Sequence, residues 1–369
     1  MDFETWYTAE AAFEAARRLE GLVAGHRAGR LHGHGFLARV QCRLAPGWAD
    51  FPGSEVPQLQ QRLGAAVAPL DYACLNEQMA LPSDANLARW LQERLAGPAL
   101  TELQIGVQST ERQGVVFDGN AKMHVWRRYA FQSAHRLPNV PPGHKCGRMH
   151  GHGFEAVVQA GQPDPAASGP AIDYDQLDAL WSPLHHVLHH ACLNGLAGLE
   201  NPTSEMLSRW IWNRLQPQLP SLSRVTVYET ASCGASYDGQ QFRIWKDMTL
   251  DSACQLRRAP EASALRRLHG HTYTLRLHLC APLDQVMGWT VDFGDVKQLF
   301  HPLFQALDHR PLHEIPDLGD CDAASLARWI LAKARPDLPQ LDRVDLWETR
   351  GCGARVSVAG AETMVGGPA

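Results

Sequence analysis

The chain has 369 residues, 45% hydrophobic and 20% charged, with a net charge of −5 and a pI near 6.4. That composition excludes a disordered protein, a collagen and a coiled coil, and it supplies no basic surplus to hold a nucleic-acid backbone. A small-molecule partner is expected instead. Met1-Asp2-Phe3-Glu4 is acidic and leads into no apolar run, and no apolar stretch approaches a membrane span. Nine dispersed cysteines do not resemble a disulfide framework. These features predict a cytoplasmic protein with reduced thiols and no membrane partner.

The length suggests two or three domains, and internal spacing decides for three. His-Gly-His occurs at 32–34, 150–152 and 269–271, in steps of 118 and 119. Trp90, Trp210 and Trp329 keep steps of 120 and 119, and so do Ser109, Glu229 and Glu348. Asp71-Tyr72, His189-His190 and Asp308-His309 keep steps of 118 and 119. The units are expected at 1–122, 123–245 and 246–369. Histidines distribute among them as 3, 9 and 6, so the middle unit is the chemically loaded one.

In chain order, the middle unit predicts strands over 125–135 and 154–159 from their aromatic and β-branched content. A helix follows over 175–188, with Leu177, Leu180, Trp181 and Leu184 at helical spacing and Pro183 expected to kink or start a segment. A second helix opens after Thr203 or Ser204 as N-cap, with the stripe Met206, Leu207, Trp210, Ile211, Leu215. The segments 225–229 and 242–245 read as closing strands, giving a ββααββ unit. The 360–369 tail reads as loose.

His150 and His152 lie two apart on a strand, so both imidazoles share one face. His135 ends the preceding strand, and hairpin pairing brings it beside them. Any one of these reads equally well as a satisfied histidine, but three with an open fourth position form the ligand set of a catalytic zinc. Cys146 stands four residues before His150 in a glycine-rich, basic loop. Such surroundings lower a thiol pKa and suit a catalytic base.

The segments 131–135, Leu137-Pro138, 143–146, His150-Gly151-His152, 201–205 and Glu229-Thr230 resemble the motifs of the 6-carboxytetrahydropterin and 6-pyruvoyltetrahydropterin synthases, a tunnelling-fold family. The resemblance covers nearly all of the second unit and the other two in outline. It implies an α+β fold in which three tandem ββααββ units form a pseudo-trimeric ring. A central antiparallel β-barrel would carry the helices outside, with sites between units and two rings stacked as a homodimer. It implies Zn2+ on His135, His150 and His152, meeting the side-chain hydroxyls of 7,8-dihydroneopterin triphosphate, with Cys146 as the proton-abstracting base. The family's Asp-His pair corresponds to His189-His190, its pterin anchor to Glu229, and Thr203 belongs near the pterin pocket. The implied activity is that of a 6-carboxytetrahydropterin synthase on the route to deazapurines such as queuosine. A 6-pyruvoyltetrahydropterin synthase, a related pterin lyase and a non-catalytic pterin-binding scaffold are the alternatives.

The units depart from the pattern in different places. The second has His189 where the pair's aspartate belongs. The third keeps Asp292-Phe293, Asp308-His309 and Glu348, but has Leu265 at the cysteine position and Cys254 at the first ligand position. Cys254 with His269 and His271 remains an alternative second zinc set, thiolate being a good zinc ligand. The first unit has Arg17, Ala28, Tyr72 and Ser109 at the ligand, cysteine, histidine and anchor positions, which makes it scaffold, with His32 and His34 structural. The complementary losses predict one working site at the interface of units two and three. It would combine His135, His150, His152 and Cys146 with Asp308 and His309, with His190 as the fallback acid/base. Either Glu229 or Glu348 would anchor the pterin.

Overall fold

The computed structural model describes residues 2–118, 122–162 and 173–361. Each unit contributes two long strands, two helices and two shorter strands. The first has β1 (Phe3–Arg17), β2 (His32–Leu44), α1 (Glu55–Val67), α2 (Asp84–Leu95), β3 (Leu100–Thr110) and β4 (Gln113–Phe117). The second has β5 (Met123–His135), β6 (His150–Gly161), α3 (Tyr174–Leu188), α4 (Ser204–Leu215), β7 (Leu222–Thr230) and β8 (Cys233–Tyr237). The third has β9 (Phe242–Cys254), β10 (His269–Cys280), α5 (Phe293–Leu307), α6 (Ala323–Ala334), β11 (Leu341–Thr349) and β12 (Cys352–Val358). Among the described residues, no helix is long and apolar enough to cross a membrane.

These twelve strands form one closed antiparallel barrel. Units join edge to edge, β4 on β5 through Phe117↔Met123 and β8 on β9 through Tyr237↔Phe242. The ring closes where β12 pairs β1, from Phe3↔Val358 to Thr8↔Gly353. Closure leaves no exposed sheet edge on these strands.

Alternation along each strand sets what each barrel face meets. Val125 and Phe131 of β5 share one buried cluster with Trp181 of α3 and Ile211 of α4. The opposite face presents Trp126, which clusters with Val116, Val157, Tyr228 and Trp245 inside the barrel. The lumen also carries ion pairs from every unit, among them Arg39 with Glu10, Arg128 with Glu155 (3.0 Å) and Arg276 with Asp247 (2.6 Å).

Two sequence expectations need correction. The closing strand of unit two is Cys233–Tyr237, whereas 242–245 begins the first strand of unit three. A short strand split by Gly234 is hard to see in a sequence, and the aromatic run after it draws the reading forward. Pro183 starts no new segment: α3 runs through it to Leu188. A single i→i−4 bond is lost at the proline, and Leu184 and Leu188 are buried beyond it, so packing holds the helix. The same tolerance recurs at Pro302 in α5. The 362–369 part of the tail lies outside the described residues.

Candidate active site and metal centre

Strand register assembles the histidines. His135 pairs directly with His150, and Ser133 pairs with His152, so the three imidazoles share one face of the β5–β6 hairpin. Their ring centroids are 4.5 Å (135–150), 5.2 Å (135–152) and 5.0 Å (150–152) apart. One nitrogen from each lies within 4.8 Å of the others.

Hydrogen bonding sets the tautomers. His135 Nδ1 donates to Pro202 O at 3.0 Å and His150 Nδ1 donates to Arg148 O at 2.8 Å, because a carbonyl only accepts. In the neutral imidazoles this leaves each Nε2 as a free lone pair, the backbone-oriented arrangement typical of metal-bound histidine. His135 Nε2 and His152 Nε2 are buried without a hydrogen-bond partner. Burial is the first cause lowering the pKa of both His135 and His152, which keeps them neutral and able to ligate. The donor set therefore fits Zn2+. Among the described residues this is the one group of three that qualifies.

Cys146 is half-buried in a single 3₁₀ turn, Lys145–Gly147, that enters β6. The turn is held by His144, whose Nδ1 accepts from Cys146 N at 3.2 Å. The loop was expected to lower the thiol pKa. Instead burial raises it, helped by the Glu229 carboxylate and opposed by Lys145. Desolvation and acidic neighbours outweigh the loop's basic residues. Glu229 Oε1 stands 3.6 Å from His152 Nε2, and its Oε2 accepts from Ser204 Oγ at 2.8 Å. Cysteine, carboxylate and triad thus face one region.

Unit three closes this region with its 284–292 segment, not with Asp308-His309. Asn201 Nδ2 donates to Met287 O at 2.6 Å, and the Thr203 hydroxyl donates to Gly288 O while capping α4. Thr203, expected near the pterin, thus spends its hydroxyl on the neighbouring unit. Thr290 donates its N–H to Glu205 Oε1 at 2.8 Å and its hydroxyl to the same oxygen at 3.1 Å. Asp292 Oδ2 lies 3.4 Å from His144 Nε2. Gly288 has a φ of +71° and its missing Cβ would meet Asn201 Nδ2 at 2.8 Å, so only glycine fits this turn.

Burial raises the Glu205 carboxyl pKa to about 7. A folded-state pKa above the unfolded value means that the folded protein binds more protons, so stability falls as pH rises through the interval from about 4.5 to about 7. Glu205→Gln keeps an acceptor for Thr290 and is expected to flatten that slope, on the order of 3 kcal/mol at most. Urea unfolding at pH 5 and pH 7.5 measures it, and an unchanged slope refutes the assignment.

Asp308 and His309 do form a pair, His309 Nδ1 lying 2.8 Å from Asp308 Oδ2. They sit at the C-terminal end of α5, while Asp292, the residue beside His144, caps its N-terminal end. Fifteen helical residues separate the ends by about 22 Å, so within one ring the pair does not reach Cys146. Its His309 is 77% exposed at the barrel rim. The counterpart His190 lines an open cleft with Ser133, His152, Gly153 and Cys192 of its own unit. Asp71, His189 and Asp308 share a role that spacing did not disclose: each accepts from a first-strand N–H, of Glu14 (2.9 Å), Gln132 (3.1 Å) and Asp251 (3.0 Å). The following Tyr72, His190 and His309 all have φ between 51° and 59°.

The other two interfaces are filled differently. Arg17 replaces the first ligand and is buried against Asp84, Nη1 to Oδ1 at 2.6 Å. Asp84 Oδ2 also accepts from Ser109 Oγ at 2.7 Å and from Tyr174 Oη of unit two at 2.6 Å. A guanidinium thus stands where unit two has His135, and after burial as first cause it helps lower the pKa of His34 to about 4. In unit three the Cys254 thiol donates to Cys321 O at 3.4 Å, and its pKa is raised by Cys321 and by burial. Cys254, His269 and His271 do not converge as the triad does. Glu348 accepts from Ala323 N at 3.1 Å, and burial raises its pKa to about 7.

The family model described as 6-pyruvoyl tetrahydropterin synthase matches residues 7–120, 124–240 and 243–358. A 6-carboxy-5,6,7,8-tetrahydropterin synthase of Synechocystis is 34% identical over 119 residues, 31% of this chain and 91% of that protein. A dihydroneopterin monophosphate aldolase of Pyrococcus furiosus is 33% identical over 84 residues, 22% of this chain and 70% of that protein. The solved 6-pyruvoyl tetrahydropterin synthase of Caenorhabditis elegans is 23% identical, covering 32% of this chain and 95% of its own, with a TM-score of 0.28.

Proposed function

Because this chain belongs to the 6-pyruvoyl tetrahydropterin synthase family, we propose that it converts 7,8-dihydroneopterin triphosphate to 6-carboxytetrahydropterin with the aid of Zn2+, at one site between units two and three. The observation that carries this reading is the triad of His135, His150 and His152 with its lone pairs converging beside Cys146 and Glu229.

Zn2+ on the three histidines would supply Lewis acidity to the side-chain hydroxyls, making the adjacent carbon-bound protons easier to remove. The remaining work belongs to the chain. Cys146 takes a carbon-bound proton as the base. Glu229 accepts hydrogen bonds from the guanidine-like edge of the pterin, a charge-assisted contact, held in place by Ser204. Glu348, buried on its own backbone contact, serves unit three instead. His190, facing the same cleft as His152, returns a proton within the ring. Asp308 and His309, exposed at the rim, would act on the site of a second ring stacked as a homodimer. The product would feed a cytoplasmic deazapurine route of the queuosine type.

Incubating the zinc-loaded protein with 7,8-dihydroneopterin triphosphate and weighing the product tests the reading. The expected mass is that of 6-carboxytetrahydropterin. A 6-pyruvoyl product assigns the sister reaction, a shortened side chain assigns an aldolase such as the Pyrococcus relative is named for, and no turnover favours a binding scaffold. Metal analysis is expected to give about one zinc per chain, and two would restore Cys254, His269 and His271 as a second set.

A further inference from the structure

We infer that His144, held across the unit boundary by Asp292, is a positioning residue for Cys146. The inference rests on Cys146 being the base in the proposed reaction. Three observations carry it. His144 Nδ1 accepts from the backbone N–H of Cys146 itself (3.2 Å) and so must carry its ring proton on Nε2 when neutral. That Nε2 points to Asp292 Oδ2 at 3.4 Å, where Asp292 also caps α5 by accepting from Gly294 N and Asp295 N. The carboxylate is therefore fixed from behind by a helix, and the segment leading to it is pinned on unit two by Asn201, Thr203 and Glu205.

Comparison among the units separates this clamp from the fold. In unit one, His26 Nδ1 accepts from Ala28 N at 3.1 Å and His26 Nε2 meets Asp175 of unit two at 2.6 Å, the same construction around a residue with no thiol. In unit three, Ser263 Oγ caps Leu265 N at 3.3 Å, so the turn forms there with a hydroxyl in place of the imidazole. The turn needs only an acceptor. What the imidazole adds is a second nitrogen that reaches the neighbouring unit and fixes the turn, with Cys146 on it, relative to the 284–292 segment.

Three variants and one control test this. Asp292→Asn keeps the helix cap and removes the charge that faces His144. His144→Ser keeps the cap on the Cys146 turn, as Ser263 does in unit three, and removes the reach to Asp292. His144→Ala removes both. Iodoacetamide labelling of Cys146, read by mass spectrometry at pH 8 on zinc-loaded protein, is expected to run at least 3-fold faster in all three. Amide exchange at Cys146 is expected to rise about 10-fold in His144→Ala only. With the pterin substrate, Asp292→Asn and His144→Ser are expected to lower kcat about 10-fold with KM, zinc content and Tm unchanged. His26→Ala, which breaks the equivalent clamp in unit one, leaves kcat and Cys146 labelling unchanged. Unaltered labelling in Asp292→Asn and His144→Ser overturns the inference even if the substrate reading fails, because labelling needs no turnover. Changed labelling without any turnover upholds the clamp and removes the reaction.

Discussion

Cys146→Ala is expected to lower kcat by about 10²–10⁴-fold, the usual contribution of a positioned acid/base group, with zinc content unchanged. The separation follows from the geometry. The three ligand imidazoles are oriented by Pro202 O, by Arg148 O and by strand register, none of which uses the cysteine side chain. His152→Ala should do the converse, emptying the metal site and removing turnover while Cys146 stays reactive. Other thiols are badly placed to substitute. Cys233 is buried and shares contacts with Thr230, and Cys192 lies on the exposed side of the cleft. Placing a cysteine in unit three by Leu265→Cys should create no second activity, because Cys254 there is engaged with Cys321. Retained turnover in Cys146→Ala, measured with purified protein at saturating substrate, would remove the thiol from the mechanism.

Asp84→Ala is expected to destabilise the protein by about 3–5 kcal/mol, the loss usual when one partner of a buried ion pair is removed. Arg17 and Asp84 are each 3% exposed in their side chains. The alanine would strand a guanidinium whose other hydrogen-bond partner among the described residues is Pro82 O at 2.9 Å, and it would remove the acceptor of the Ser109 and Tyr174 hydroxyls as well. Replacing Arg17 by Met and Asp84 by Leu together removes both charges but leaves those two hydroxyls without an acceptor. Only the four-fold change that adds Ser109→Ala and Tyr174→Phe should return to near-native stability. Denaturant unfolding gives the numbers, and a loss below about 1 kcal/mol for Asp84→Ala would show that the cluster is not dry. Zinc binding at unit two should be indifferent to all four changes.

Much of this was legible in the chain because local rules agreed with the global ones. The repeat step, the paired histidines two apart and the strand end at His135 define a hairpin register that brings three imidazoles together. Legibility failed where placement depended on contacts distant in sequence. Asp292 lies 148 positions from His144, and no spacing rule links an N-cap in one unit to a cysteine turn in another. Asp84 reads as an ordinary first-turn acid after the Ser83 cap, and only the structure shows it neutralising Arg17 and receiving Tyr174 from the next unit. The Asp308-His309 expectation erred for a similar reason. Units two and three do meet beside the triad, but a helix's length decides which of its ends meets the neighbour. The raised pKa of Cys146 is not legible in its loop, where lysine and glycine are visible, because the burial and the Glu229 carboxylate come from the fold.

The seam between β12 and β1 joins two ends of one chain, so keeping the ring shut carries none of the translational and rotational entropy that separate subunits lose on associating. Opening that seam is a unimolecular event, governed by local stability and independent of protein concentration. A ring assembled from separate copies has a dilution limit below which its sites vanish. Here His135, His150 and His152 and the 284–292 segment that covers them stay at a fixed effective concentration however few molecules are present.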